Sequence, residues 1–146
     1  MANKGNEQAV KLYSGTYASK ALIAEVTTLG LTVNASQVDV TSKDSAKWMT
    51  MLSGGGLKSV EISIGGFVSD DTQFEALQTA ALNRTNDIYV YEQPLLDAGN
   101  STPGYYEGTF QLSAFAYEAA GTGDNAYAFT ATLISSGVVT YTAEAA

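Results

Sequence analysis

Several places in the sequence bring together residue types that chemistry could use. Asp70 and Asp71 stand side by side, as a carboxylate pair or half of a hard-cation site would. Adjacent residues on a helix point about 100° apart, and no third ligand follows at calcium-loop spacing. The pair therefore reads as a helix start, where acidic groups favour the positive end of the dipole. Asp39 and Asp44 flank Lys43, again without an Asp-x-Asp-x-Asp-Gly loop. Gly54-Gly55-Gly56 lacks the Lys-Ser/Thr of a phosphate loop and precedes a strand, so it reads as a flexible loop. Asn34, Asn83 and Asn100 each open an Asn-x-Ser/Thr triplet, which carries no information where no secretion signal is legible.

What is missing narrows the chemistry further. There is no histidine and no cysteine, which removes the commonest general base, the commonest metal ligand and all thiol chemistry. No Gly-x-Ser-x-Gly nucleophile elbow is present. An enzyme is not expected, nor is a cofactor or a metal. The net charge of −8 repels phosphate, which argues against binding nucleic acid through charge. It leaves open a surface past which nucleic acid slides without sticking.

The 146 residues, 45% of them hydrophobic, fit one domain with a substantial core. Ser and Thr total 29, and β-branched and aromatic residues are plentiful, so strands should dominate. Residues 1–15 show no apolar signal region, and no apolar run approaches the ~20 residues of a spanning helix. A soluble protein made in the cytoplasm is expected, with no membrane partner.

Polar residues 1–8 read as an arm. Strands are expected at roughly 9–14, 18–29 and 31–41, with Gly30 as a turn or bulge. In Leu57–Val68, Val60, Ile62 and Ile64 point one way and Ser59, Glu61 and Ser63 the other. A helix is predicted over 70–84, its apolar face made by Phe74, Leu77, Ala81 and Leu82. A strand at 87–92 leads into a loop holding both prolines. Tyr105–Glu118 and Asn125–Ile134 then form a hairpin turning at Gly121 and Gly123. Val138–Thr142 is a last short strand, and a tail, 143–146, trails off. The fold class is mainly β: an antiparallel β-sandwich or partly closed barrel with one flanking helix.

Two surfaces invite a function. Trp48, Met49, Met51 and Leu52 lie within the connector 41–56, between polar stretches. They form either a core plug or a contact between protein chains, where Trp and Met are enriched. The second surface comprises Ser59, Glu61 and Ser63; Glu107, Thr109, Gln111 and Ser113; and Thr130 and Thr132, with no Lys or Arg. It reads either as an ordinary solvated sheet face or as the wall of a channel, because fixed cations would make DNA stick.

The segment Val38–Asp71, VDVTSKDSAKWMTMLSGGGLKSVEISIGGFVSDD, sets these features in order: a V-D-V-T-S strand end, a Trp-containing loop, an L-x-S-x-x-I-S-I-like strand and a D-D-opened helix. This order resembles the major tail tube proteins of long, non-contractile phage tails and gene transfer agents, and the aromatic-rich hairpin at 105–134 suits it. The resemblance implies a structural virion protein whose subunits form hexameric rings stacked into a tube. The tape measure protein would fill that tube until DNA passes, and tail terminator and distal tail proteins would close its ends. It places Trp48, Met49, Met51 and Leu52 at inter-subunit contacts, and Glu61, Ser63, Glu107 and Gln111 on the lumen. Both termini should be loose in the monomer and ordered in the tube. The Tyr- and Ala-rich C-terminal hairpin departs from the family pattern. Competing readings are another tube component, such as a terminator or a secretion-system tube protein; a carbohydrate-binding β-sandwich module; and, disfavoured, a carboxylate glycosidase.

Overall fold

The computed structural model describes residues 10–23, 26–43, 47–54, 56–68, 72–97, 99–119 and 127–146. Its strands are β1 (Lys11–Ser14), β2 (Ala21–Leu22), β3 (Val26–Ala35), β4 (Lys58–Phe67), β5 (Asn86–Glu92), β6 (Tyr105–Glu118) and β7 (Ala128–Thr142). A 3-10 turn, Tyr17–Ser19, precedes β2, and one helix, α1 (Thr72–Asn83), joins β4 to β5. All seven strands form one antiparallel sheet in the order β2-β1-β5-β6-β7-β4-β3. The sheet bends until β1 touches β3, but no ladder joins the two among the described residues. The mainly β fold with one flanking helix is thus realised as a single curled, unclosed sheet.

Side-chain alternation builds its two faces. Val60, Ile62 and Ile64 of β4 are buried on one face with Phe129, Ala131 and Leu133 of β7. The register sets Ile62 against Leu133 and Ile64 against Ala131. Phe110 and Leu112 of β6 and Leu12 of β1 extend this inner face. Helix α1 covers it with Phe74, Leu77 and Ala80, and Phe74 meets the Phe129 ring edge-on with centroids 4.9 Å apart. Each fully buried Val, Leu, Ile or Phe on this face contributes about 1.5–3 kcal/mol, so packing of this face decides the fold.

Five sequence expectations need correction. Leu82 is 80% exposed and Ala80 is buried in its place. Five residues beyond Leu77, Leu82 falls about 140° round the helix from it, outside the packed stripe. Gly30 is no turn: it pairs with Ser63 in the middle of β3. The expected strand 31–41 stops at Ala35, and the separate last strand is the end of an unbroken β7. The C-terminal tail is also held. Glu144 accepts hydrogen bonds from the Leu96 and Asp97 amides, both at 2.9 Å, and from Asn100 Nδ2 at 3.0 Å. Thr102 and Ala145 exchange backbone bonds at 3.0 Å. Gly104 permits this closeness, since a Cβ there would stand 2.9 Å from the Tyr141 hydroxyl. The arm 1–8, the helix start at Ser69–Asp71 and the turn at Gly121 and Gly123 lie outside the described residues.

Candidate functional site

The outer face of the sheet, opposite the core, carries the polar residues singled out in the sequence. One row across it runs Thr32, Glu61, Ile134, Gln111, Asn86. The next runs Gly30, Ser63, Thr132, Ala114. Glu61, Ser63, Gln111, Thr130 and Thr132 therefore share one surface. Ser113 sits where the β6–β7 register slips between Leu112 and Ala114. No Lys or Arg occupies an outer-face position of β3, β4, the Ala128–Ile134 part of β7 or β6 beyond Gln111. The Glu61 carboxylate has no hydrogen-bond or ion-pair partner among the described residues. Gln111 is tied at one edge, its amide donating to the Arg84 carbonyl at 2.8 Å. Arg84 ends α1 at φ 54, and Thr85 N–H bonds back to the Ala80 carbonyl at 3.3 Å, a Schellman-type stop.

Glu107 lies on the same face by register, opposite Val90 and Thr140, but its carboxylate is occupied. Its Oε2 accepts the Tyr17 backbone N–H at 2.6 Å. Tyr17 belongs to a strap, Thr16–Lys20, that crosses this half of the sheet. Its ring stacks on Tyr105 with centroids 3.9 Å apart. The strap ends in Lys20, whose Nζ sits 2.6 Å from Glu92 Oε2 and 4.5 and 4.0 Å from the Tyr13 and Tyr17 ring centroids. Burial lowers the Lys20 pKa, but the hydrogen bond to Glu92 and the neighbouring charges outweigh it, and the net shift is upward. Nothing in the sequence signals this strap, because Lys20 and Glu92 are 72 residues apart.

Between Ala35 and Lys58 the chain leaves the sheet as an arm. Paired backbone bonds extend the β3–β4 hairpin into it: Ser36 to Leu57 at 2.8 Å, Leu52 to Val38 at 2.7 Å and Val40 to Thr50 at 2.9 Å. Thr41 bonds to Asp39 through both its amide and its hydroxyl, and these hold the Asp39 carboxyl below its ordinary range. Apart from half-buried Met51, every described residue from Ser36 to Leu57 is exposed. Trp48 is 78% exposed, Met49 70% and Leu52 51%. Within one copy, then, the Trp cluster plugs no core.

On the cation-free part of the sheet, two strand edges are open among the described residues. β3 pairs only with β4. β6 pairs with β5 only as far as Gln111, opposite Asn86, so Leu112–Glu118 have a partner on one side alone. A cleft of about 690 Å³ lies between the end of α1 and Ser14–Thr16, with Asp87 and Tyr89 in its wall. Asp87 already accepts from the Thr85 hydroxyl at 3.0 Å. Burial, and secondarily the charge of Asp87, push Tyr89 up to about 12, so it stays neutral at pH 7. Among the described residues no three acidic side chains gather in a group able to hold a metal.

Comparison with known proteins gives this geometry a context. Among solved structures, the fold is similar to the tail of an empty gene transfer agent particle refined helically with C6 symmetry. The TM-score is 0.82 at 20% identity, over 96% of this chain and 100% of that one. The virion of a native gene transfer agent particle gives 0.81, 20%, 96% and 100%. The SPP1 tail tube, a hybrid solid-state NMR and cryo-EM structure, gives 0.73 at 14% identity, over 98% of this chain and 81% of that one. No curated protein matches the sequence directly. Residues 3–141 match the family described as phage tail tube protein. That span takes in the arm, the cation-free face and the strap, and the chain belongs to the phage tail tube protein family.

Proposed function

We propose that copies of this chain join edge to edge into a hexameric ring, and that stacked rings make a tube through which DNA travels. The observation that carries this reading is the bare half of the outer face, which is free of cations and has an open edge on each side. β3 and β6 are three antiparallel steps apart in the sheet. They run in opposite directions, so β6 of one copy meets β3 of the next as an antiparallel pair. Closing a ring this way satisfies both edges, which otherwise invite uncontrolled strand addition. Six copies follow the sixfold symmetry of the tail that the fold resembles.

In such a ring the bare face, with Glu61, Ser63 and Gln111, lines the channel. Carboxylate, hydroxyl and amide groups offer phosphate no fixed counter-charge, so moving DNA releases few counterions and does not stick. Glu107 shares the face, but it serves the strap before it serves the lumen. Trp48, Met49, Met51 and Leu52 of the arm contact a neighbouring copy. The protein acts as part of the virion tail rather than as an enzyme. The channel holds the tape measure protein before DNA passes, and its ends meet the terminator and distal tail proteins. Negative-stain imaging and native mass spectrometry of the purified protein, with and without a tail initiator complex, test the reading. Six-fold rings and hollow tubes are expected; a strictly monomeric species at high concentration with initiator present overturns it.

A further inference from the structure

The arm and the far end of the same sheet complement each other. β4 is ten residues long, so at roughly 3.3 Å per residue the arm's root at Lys58 and Phe67 at the other end are about 30 Å apart. At that far end two aromatic rings are exposed together, Tyr117 at 39% and Tyr127 at 48%. Tyr117 and Tyr127 stack with centroids 5.3 Å apart. We infer that this aromatic end receives the Trp48–Met49 tip of the arm from a second copy of the chain in the next ring.

The inference rests on the stacked-ring reading and names the two surfaces that meet. Complementary patches at opposite ends of one copy generate an open head-to-tail stack, whereas a self-complementary patch would close a dimer. The arm's tip has no cover of its own, and Trp and Met are suited to a flat aromatic receptor through ring stacking and sulfur–ring contact. Charge points the same way. Three of the seven basic residues, Lys43, Lys47 and Lys58, lie in or at the root of the arm, while none lies between Ser59 and Asn83 or after Arg84. At the aromatic end Glu118, next to Tyr117 in β6, is exposed. Asp39, an acid of the arm, is engaged by Thr41. In a chain of net charge −8, two acidic ends would repel. The arm is where the chain places lysines against that repulsion.

The absence of cysteine allows a direct test. Assembled tubes carrying Trp48→Cys with Tyr127→Cys, treated with a short bismaleimide, should give a covalent ladder longer than one ring's complement. Dispersed subunits should not. Trp48→Cys with Ser63→Cys should give no ladder; a ladder there, and none with Tyr127→Cys, would place the tip elsewhere and overturn the inference. In parallel, Tyr117→Lys with Tyr127→Lys should leave the melting curve and the rings intact while weakening stacking at least about tenfold, the loss expected when central aromatic anchors go. Tubes of normal length from that double variant overturn this contact while leaving ring formation standing. Failure of the unaltered protein to form rings removes the stacked-ring reading, and this contact with it.

Discussion

Glu61 and Glu107 stand on the same face of the same sheet, yet their carboxylates do different work. Glu61 lies among Ser, Thr and Gln with no bonded partner among the described residues. Glu107 is held at 2.6 Å by a backbone amide of a strap that a stacked tyrosine and a caged lysine fasten down. One half of the face is covered and cross-linked by side chains; the other is bare. Alternation alone cannot distinguish the two halves, because it assigns a residue to a face and says nothing of what crosses that face. The cations sort the same way. Lys20 is neutralised by Glu92 on the covered half, and the bare half has none.

Substitutions can break this contrast, and their expected effects fall steadily in size. Glu107→Ala strands the Tyr17 amide and unseats the strap. It should cost about 1.5–3 kcal/mol, the range for hydrogen bonds to charged groups, and lower Tm by several degrees. An unchanged Tm would put Glu107 in the same class as Glu61. Lys20→Met removes an ion pair and two cation–ring contacts, an expected loss of about 1–2 kcal/mol by denaturant melts. The same contact gives a pH signature. Because folding raises the Lys20 pKa above 10.5, its contribution is complete below that value and is lost as pH climbs through the raised one. Stability measured by denaturant melts should therefore show an extra fall at that alkaline edge, and Lys20→Met should abolish the step.

Glu144→Gln should have a smaller, local effect: faster hydrogen exchange at Thr102 and Ala145, with little change in Tm. Hydrogen bonds from Leu96, and with them Asn100 and Asp97, hold the Glu144 carboxyl below 4.5 against its desolvation. Its hold on the tail is therefore present above 4.5 and lost as pH falls through the lowered value. Exchange at Ala145 that is insensitive to this variant would show that the Thr102 bridge suffices. Glu61→Lys should be the mildest in stability, within about 0.5 kcal/mol, and the strongest in function. Genome delivery by particles carrying it should slow, most at low salt, where phosphate–lysine attraction is least screened. Normal delivery at every ionic strength, from tubes of normal length, would remove Glu61 from the lumen.

Much of the architecture was legible because burial imposes a period. Val60, Ile62 and Ile64 announce β4, and Phe74 and Leu77 announce α1, since a two-residue or 3.6-residue repeat has one way to bury its apolar side. Leu82 was misread because, five residues past Leu77, it falls outside the stripe that Ala80 and Ala81 continue onto the sheet. Gly30 was misread as punctuation because the sequence does not show that its outer-face neighbourhood is empty, where a missing side chain costs nothing in packing; a Cβ there would meet no atom within 4 Å. The tail was misread because its anchor, Glu144, depends on amides nearly fifty residues away.

By itself the sequence determined the β-rich class, the helix, the cation-poor face and the family, because local alternation, composition and ordered motifs survive without coordinates. Only the tertiary structure decided which acids on that face are free among the described residues, that one strap covers half of it, that Trp48 and Met49 of the arm are exposed, and that both edges of the bare half are open. Those are facts of long-range pairing. They depend on which distant segment arrives beside a residue, and a residue's own neighbours in the chain carry no record of that.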